Sequence, residues 1–300
     1  FDLKLINEKR PHILDADTEK LLTEAQDALS TPSNVYGMFS NADLEFEDAI
    51  DKDGEAHPLT QGTFIKYLES DDRKLRESAF RNVYKAYGSH NNTLGATLAG
   101  EVKKNVFNAR THHYNSARER ALSNNHIPEA VYDNLVKTVH KYLPLLHRYT
   151  KLRKELLGIE DLKMYDLYTP LVKDVKFDMP YEEAKSWMLK ALEPMGEEYL
   201  NVVKEGLDNR WVDVYENKGK RSGGYSSGAH LTNPFILLNW SDTVSDLYTL
   251  VHEFGHSAHS YFSRQNQPSN LSDYTIFVAE VASTCNEALL SDYMDKHLDD

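Results

Sequence analysis

Apolar residues recur at steps of three and four along most of the chain, the period at which a helix buries one face. Leu21, Leu22, Ala25 and Leu29 make such a stripe, with Asp15 as its cap and Pro32 as its stop. Leu75, Ala79, Val83 and Tyr87 mark a second helix and Leu94, Leu98, Val102 and Val106 a third; the break at 88–92 makes them a helical hairpin. Pro128 opens a long stripe through Val131, Leu135, Val139, Tyr142, Leu146, Leu152 and Leu156, which Gly158 ends and Pro144 should kink or split. Asp178, Pro180 and the pair Glu182 and Glu183 open a further helix, running to about Leu207 with an adjustment near Pro194. The first residues, Asp2 to Asn7, already read as helix.

Three stretches depart from the helical period. Segments 44–50 and 57–64 flank Asp53-Gly54, a strong hairpin signal, and predict a small β element between helical parts. Residues 217–228, rich in Gly, Ser and basic side chains, read as a mobile loop. The apolar run 235–240 fits a buried or edge strand against which an extended peptide could lie through backbone hydrogen bonds; Tyr225, His230 and Asn233 would then line the cleft. The fold class is therefore mainly α, with a helical lobe, a small β hairpin and a short sheet on the substrate side.

The next helix carries chemistry. Val244, Leu247, Val251, Phe254, Ala258 and Phe262 form its buried stripe, with Ser241 or Asp242 as N-cap. Beside the stripe stands His252-Glu253-Phe254-Gly255-His256, whose two imidazoles, four residues apart, share a helix face and can bind one ion. Zinc suits neutral imidazole and keeps a position open for water in catalytic sites. Glu253, between the ligands, is placed to take a proton from that water.

A catalytic zinc site needs a third protein ligand. In the metzincin pattern a Gly three residues on leads to a third His; here those positions hold His259 and Phe262. His259 lies seven residues from His252, roughly 10 Å along the same helix, too far to share the ion. The other source is a Glu on a following helix. After a polar break at 264–273 the segment 274–297 reads as helix, and Glu280 lies 24 residues after His256 among Phe277, Val278, Ala279, Val281 and Ala282. A Glu buried in such a setting needs a partner, which a zinc ion supplies. Glu287, one face-repeat on, is the first candidate to orient an imidazole, with Asp246 and His259 behind it.

Val251 to Ser260, followed by Phe277 to Ser283, resembles the zinc site of the thimet-oligopeptidase family. Segments 219–225, 234–240 and 70–125 resemble its oligoendopeptidase F branch, so the likeness covers nearly the whole chain. The resemblance implies a mostly helical, zinc-dependent endopeptidase acting on short peptides in a deep channel. It implies His252, His256 and Glu280 as ligands and Glu253 as base. It also implies a chain about twice as long, with further catalytic Tyr and His residues downstream. Residues 1–69 are thus expected to be the end of an N-terminal helical lobe with its hairpin. Residues 70–300 are expected to be a catalytic region incomplete at its C-terminal end, completed by the remainder of the polypeptide. These 300 residues alone are expected to bind zinc poorly and to cleave slowly or not at all.

Composition narrows the partners. A net charge of −13 argues against nucleic acid, which needs a basic surface. The lone Cys285 points to a reducing cytoplasm and reads as a small buried apolar residue rather than a nucleophile. No apolar run is long enough to span a membrane. Two rivals stand against the endopeptidase. One is a helical binding module with a structural zinc, which would require a fourth protein ligand; the other is a zinc aminopeptidase, which would read a free N-terminus.

Overall fold

The computed structural model describes residues 2–171 and 178–297. In chain order it contains α1 (Asp2–Lys9), α2 (Ala16–Leu29), α3 (Thr31–Met38), β1 (Ala49–Ile50), β2 (Ala56–His57), α4 (Gln61–Leu68), α5 (Arg73–Gly88), α6 (Asn91–Thr111), α7 (Ala117–Ser123) and α8 (Glu129–Leu157). There follow α9 (Tyr181–Ala191), α10 (Glu197–Asp208), β3 (Val212–Tyr215), β4 (Tyr225–Ser227), β5 (Phe235–Trp240), α11 (Val244–Asn266) and α12 (Ile276–His297). Helix dominates, as the periodicity predicts. The chain divides into two compact units, Phe1–Glu47 with Arg81–Leu167, and Asp48–Phe80 with Tyr168–Asp300. The sequence division at 69/70 follows chain order, whereas each unit combines two separate segments.

In the first unit Asp15 caps α2 by accepting from the Thr18 N–H at 3.0 Å. Pro32 stops α2 but also sits in the first turn of α3, a helix the sequence reading omits; Pro costs nothing there because that N–H has no helical acceptor. Pro144 does not split α8, which runs unbroken to Gly158, and that glycine takes the left-handed conformation (φ 65°) of a helix stop. A ring nitrogen of His12 bonds the His112 carbonyl at 2.8 Å, and the His12 ring stacks on Tyr114. His112 is half-buried and His113 exposed.

The second unit holds the hairpin, and Asp51 Oδ1 organises its turn by accepting from the N–H groups of Asp53 and Glu55. The strands are two residues each, and the second half of the second flanking segment is instead α4, begun by a reciprocal Thr60–Thr63 cap. Around Pro194 the predicted long helix becomes α9 and α10, separated by a short turn and Gly196 at φ 87°. The sheet order is β3-β5-β4, with β3 parallel and β4 antiparallel to β5. β5 is thus the central strand, with β4 covering its first half, residues 235–237, on one side and β3 pairing on the other; β4 is an edge strand. Ile236, Leu238 and Trp240 alternate into the core against Leu247, Leu250, Val251 and Phe254 of α11 and Leu290 of α12. Burial of each such side chain contributes about 1.5–3 kcal/mol, enough to hold α11 firmly on the sheet.

Candidate active site

Helix α11 begins one or two residues later than the sequence suggests, and backbone conformation is the reason. Asp242 is left-handed (φ 64°), its carbonyl accepts the Met179 N–H and its carboxylate accepts the Trp240 indole N–H at 3.0 Å. The N-cap is Thr243, in a reciprocal box with Asp246. Asp246 Oδ2 accepts from the N–H and hydroxyl of both Ser241 and Thr243. Its carboxylate therefore serves the helix start and does not orient the imidazoles.

One turn and more along α11, three acceptor atoms converge. His252 Nε2 and His256 Nε2 are 3.1 Å apart, and Glu280 Oε2 of α12 lies 3.4 and 3.7 Å from them. The Nδ1 of His252 meets Glu287 Oε1 at 2.5 Å. The Ala279 backbone faces the His256 ring and raises its proton affinity. With the Glu287 carboxylate at its Nδ1, a neutral His252 ring keeps its proton there and turns a lone pair on Nε2 inward. Three lone-pair donors this close repel one another unless a cation lies between them.

Zinc fits that triangle. Bonds of about 2.0–2.2 Å at tetrahedral angles put neighbouring donors roughly 3.3–3.6 Å apart. The donor set, two imidazoles and one carboxylate, belongs to zinc sites that keep a fourth position open. Burial, and then the neighbouring His252, push the His256 pKa down and favour the neutral, ligating ring. The other grouping of possible ligands among the described residues is Asp51, Glu55 and His57 on the hairpin. There the Asp51 oxygens are already taken by turn N–H groups and by the His57 ring at 2.9 Å.

Glu253 is 6 % exposed, and its Oε2 has no hydrogen-bond partner. Its pKa is pushed up, chiefly by burial, while His252 and a hydrogen bond from the Ser226 backbone pull the other way. Ser226 belongs to β4, and its hydroxyl meets that of Ser257, next to His256, at 2.8 Å. The edge strand is thus tied to the helix at the level of the histidines. A carboxylate with raised proton affinity and one uncommitted oxygen is suited to accept a proton and return it.

Other expectations change. Glu280 is half exposed, with 46 % of its side chain open, and Phe277, Val278 and Val281 are exposed as well. Burial among apolar neighbours is therefore not what calls for a cation; convergence with the histidines is. His259 does not reach the triad's nitrogens: its ring stacks on Tyr274 at 3.7 Å, and its buried Nδ1 has no partner. Tyr225 stands exposed on β4, so the loop expected at 217–228 ends in a strand; His230 and Asn233 are exposed between β4 and β5, without a hydrogen bond to the triad. Cys285 is exposed rather than buried, on the face of α12 turned away from α11. The sequence reading omits Ser226, Ser257, Gly255 and Asn286; only Gly255 carried a signal, as a glycine inside an otherwise strong helix.

Comparison with known proteins identifies the family. The pattern described as Peptidase family M3 matches residues 66–299, and that described as Oligopeptidase F matches residues 1–46. The chain belongs to peptidase family M3. The oligopeptidase PepF of Bacillus subtilis is 57 % identical over 295 residues, covering 98 % of this chain and 44 % of that protein. The group B oligopeptidase PepB of Streptococcus agalactiae is 47 % identical, covering 97 % of this chain and 48 % of its own length. The crystal structure of oligoendopeptidase-F from Enterococcus faecium superposes with a TM-score of 0.66 at 40 % identity, over 99 % of this chain and 46 % of that one. This M3 chain therefore spans about half the length of the relatives it matches. No helix among its described residues is long and apolar enough to cross a membrane.

Proposed function

We propose that this chain carries the metal site and general base of a zinc-dependent endopeptidase acting on short peptides in the cytoplasm. The observation that carries the reading is the convergence of His252 Nε2, His256 Nε2 and Glu280 Oε2 in a triangle of zinc-site size beside a buried carboxylate. A zinc ion bound there supplies Lewis acidity, polarising a peptide carbonyl and acidifying water at neutral pH. The rest falls to residues of the chain. Glu253 accepts the proton of the attacking water on its uncommitted oxygen and hands it to the departing amine nitrogen. Glu287 holds the His252 imidazole in the tautomer that binds a metal. The unpaired side of β4 can take an extended peptide through main-chain hydrogen bonds, a mode tolerant of many side chains.

The names of the relatives, oligopeptidase and oligoendopeptidase, support short peptides as substrates. Those relatives are about twice as long, and oxyanion-stabilising donors are expected in their other half. A structural zinc would need a fourth protein ligand, and none joins the triad among the described residues. The test is Glu253→Gln in the protein at its natural length. Zinc content should be kept while hydrolysis falls by about 10²–10⁴-fold; undiminished cleavage would remove Glu253 from the mechanism. Peptides with a blocked N-terminus should be cut as well as free ones, whereas an aminopeptidase would refuse them.

A further inference from the structure

The two ligand helices come backbone to backbone inside the histidine motif. A Cβ added to Gly255 would stand 2.7 Å from Ser283 Cα, 2.9 Å from the Ala282 carbonyl oxygen and 3.0 Å from Ser283 N. All three atoms are backbone of α12, so no rotamer change can relieve the contact. One turn toward the α11 N-terminus a second tie exists: Asn286, fully buried, donates from Nδ2 to the Val251 carbonyl at 3.0 Å. Its Oδ1 in turn accepts from the Tyr199 hydroxyl of α10 at 3.0 Å. The face of α12 turned to α11 runs Ala279, Ser283, Asn286, Leu290, Met294, and its middle is made of this polar pair instead of apolar packing.

These two ties are interleaved with the candidate metal ligands on both helices. Val251 and Gly255 flank His252 on α11; Ser283 and Asn286 fall between Glu280 and Glu287 on α12. The two histidines sit on one helix and keep their spacing whatever α12 does. Glu280 and Glu287 reach them only from α12. We infer that Gly255 and Asn286 are positioning residues that set the distance and register of α12, and so deliver the third ligand and the carboxylate behind His252 together. A methyl group at 255 needs about 1 Å more separation to reach ordinary carbon contact of 3.5–4.0 Å, whereas metal–ligand distances tolerate only about ±0.2 Å. Helix propensity alone favours Ala over Gly, so the expected loss runs against the usual effect of this substitution.

This inference rests on the proposed zinc site, and the test separates the two. In the protein at its natural length, zinc affinity is measured by chelator competition, the cobalt(II)-loaded visible spectrum reports coordination, and circular dichroism with thermal melting of the metal-free form reports folding. The variants are Gly255→Ala, Asn286→Ala and, as a helix-interior control with open space around its Cα, Gly95→Ala. Gly255→Ala and Asn286→Ala should fold, bind zinc about 10–100-fold more weakly and show an altered cobalt spectrum, while Gly95→Ala matches the parent. A folded Gly255→Ala that binds zinc within twofold of the parent overturns the inference. If Gly255→Ala does not fold, Asn286→Ala decides by the same criterion. A parent protein that binds no zinc refutes the site itself, not the helix contact.

Discussion

Glu253 meets two demands at once: it is buried beside the proposed metal ligands, and one of its oxygens is left without a partner. The spacing of His252, Glu253 and His256 was readable from the sequence because a helix fixes which side chains share a face. Glu280 was also readable, by its position on the next helix, although for a partly mistaken reason, since it is half exposed rather than buried. Glu287 was expected behind an imidazole, and its carboxylate lies at His252 Nδ1. Replacing it with Ala should weaken zinc binding by about 10–100-fold while leaving the fold intact, as chelator competition and circular dichroism would show. Unchanged affinity would mean that the His252 ring needs no such partner. Asp246 and His259 were misjudged because a short-range cap and an aromatic stack, neither visible as periodicity, took their side chains first.

At the scale of elements, helices were legible wherever apolar residues kept one period, and their starts were not. The N-cap of α11 moved from Ser241 or Asp242 to Thr243 because Asp242 is left-handed and serves Trp240 and Met179 instead. Thr243→Ala removes an acceptor for the first-turn N–H groups and should cost about 1 kcal/mol in denaturant unfolding. Asp246→Ala should cost at least as much if its carboxylate serves the cap; if it served the metal, zinc affinity would fall instead. The central place of β5 could not be foreseen from an apolar run, since a buried strand and an edge strand of that length read alike. The β4 strand was missed because three residues after a Gly-rich stretch carry almost no period.

At the scale of the whole chain, the assignment to an M3-type helical fold came from motif and resemblance, while the grouping into two units did not, because each unit joins distant segments. The second unit packs two half-buried phenols against its core. Burial pushes Tyr181 and Tyr199 up to about 12 each. The unfolded chain, with ordinary phenols near 10, then releases protons first. The stability they contribute is fully present below pH 10 and is lost as pH rises from 10 towards 12. Urea unfolding at pH 9, 10 and 11 should show that decline, and the double variant Tyr181→Phe, Tyr199→Phe should flatten it; an equal slope in the variant would place the alkaline sensitivity elsewhere.

The claim on which the rest depends is that His252, His256 and Glu280 hold one zinc ion with a position left open. Zinc-edge X-ray absorption of the protein at its natural length tests it most directly. The account predicts only nitrogen and oxygen neighbours at about 2.0–2.2 Å, with the outer-shell scattering of two imidazoles. A sulfur shell at about 2.3 Å, or a count of three or more imidazoles, would contradict it.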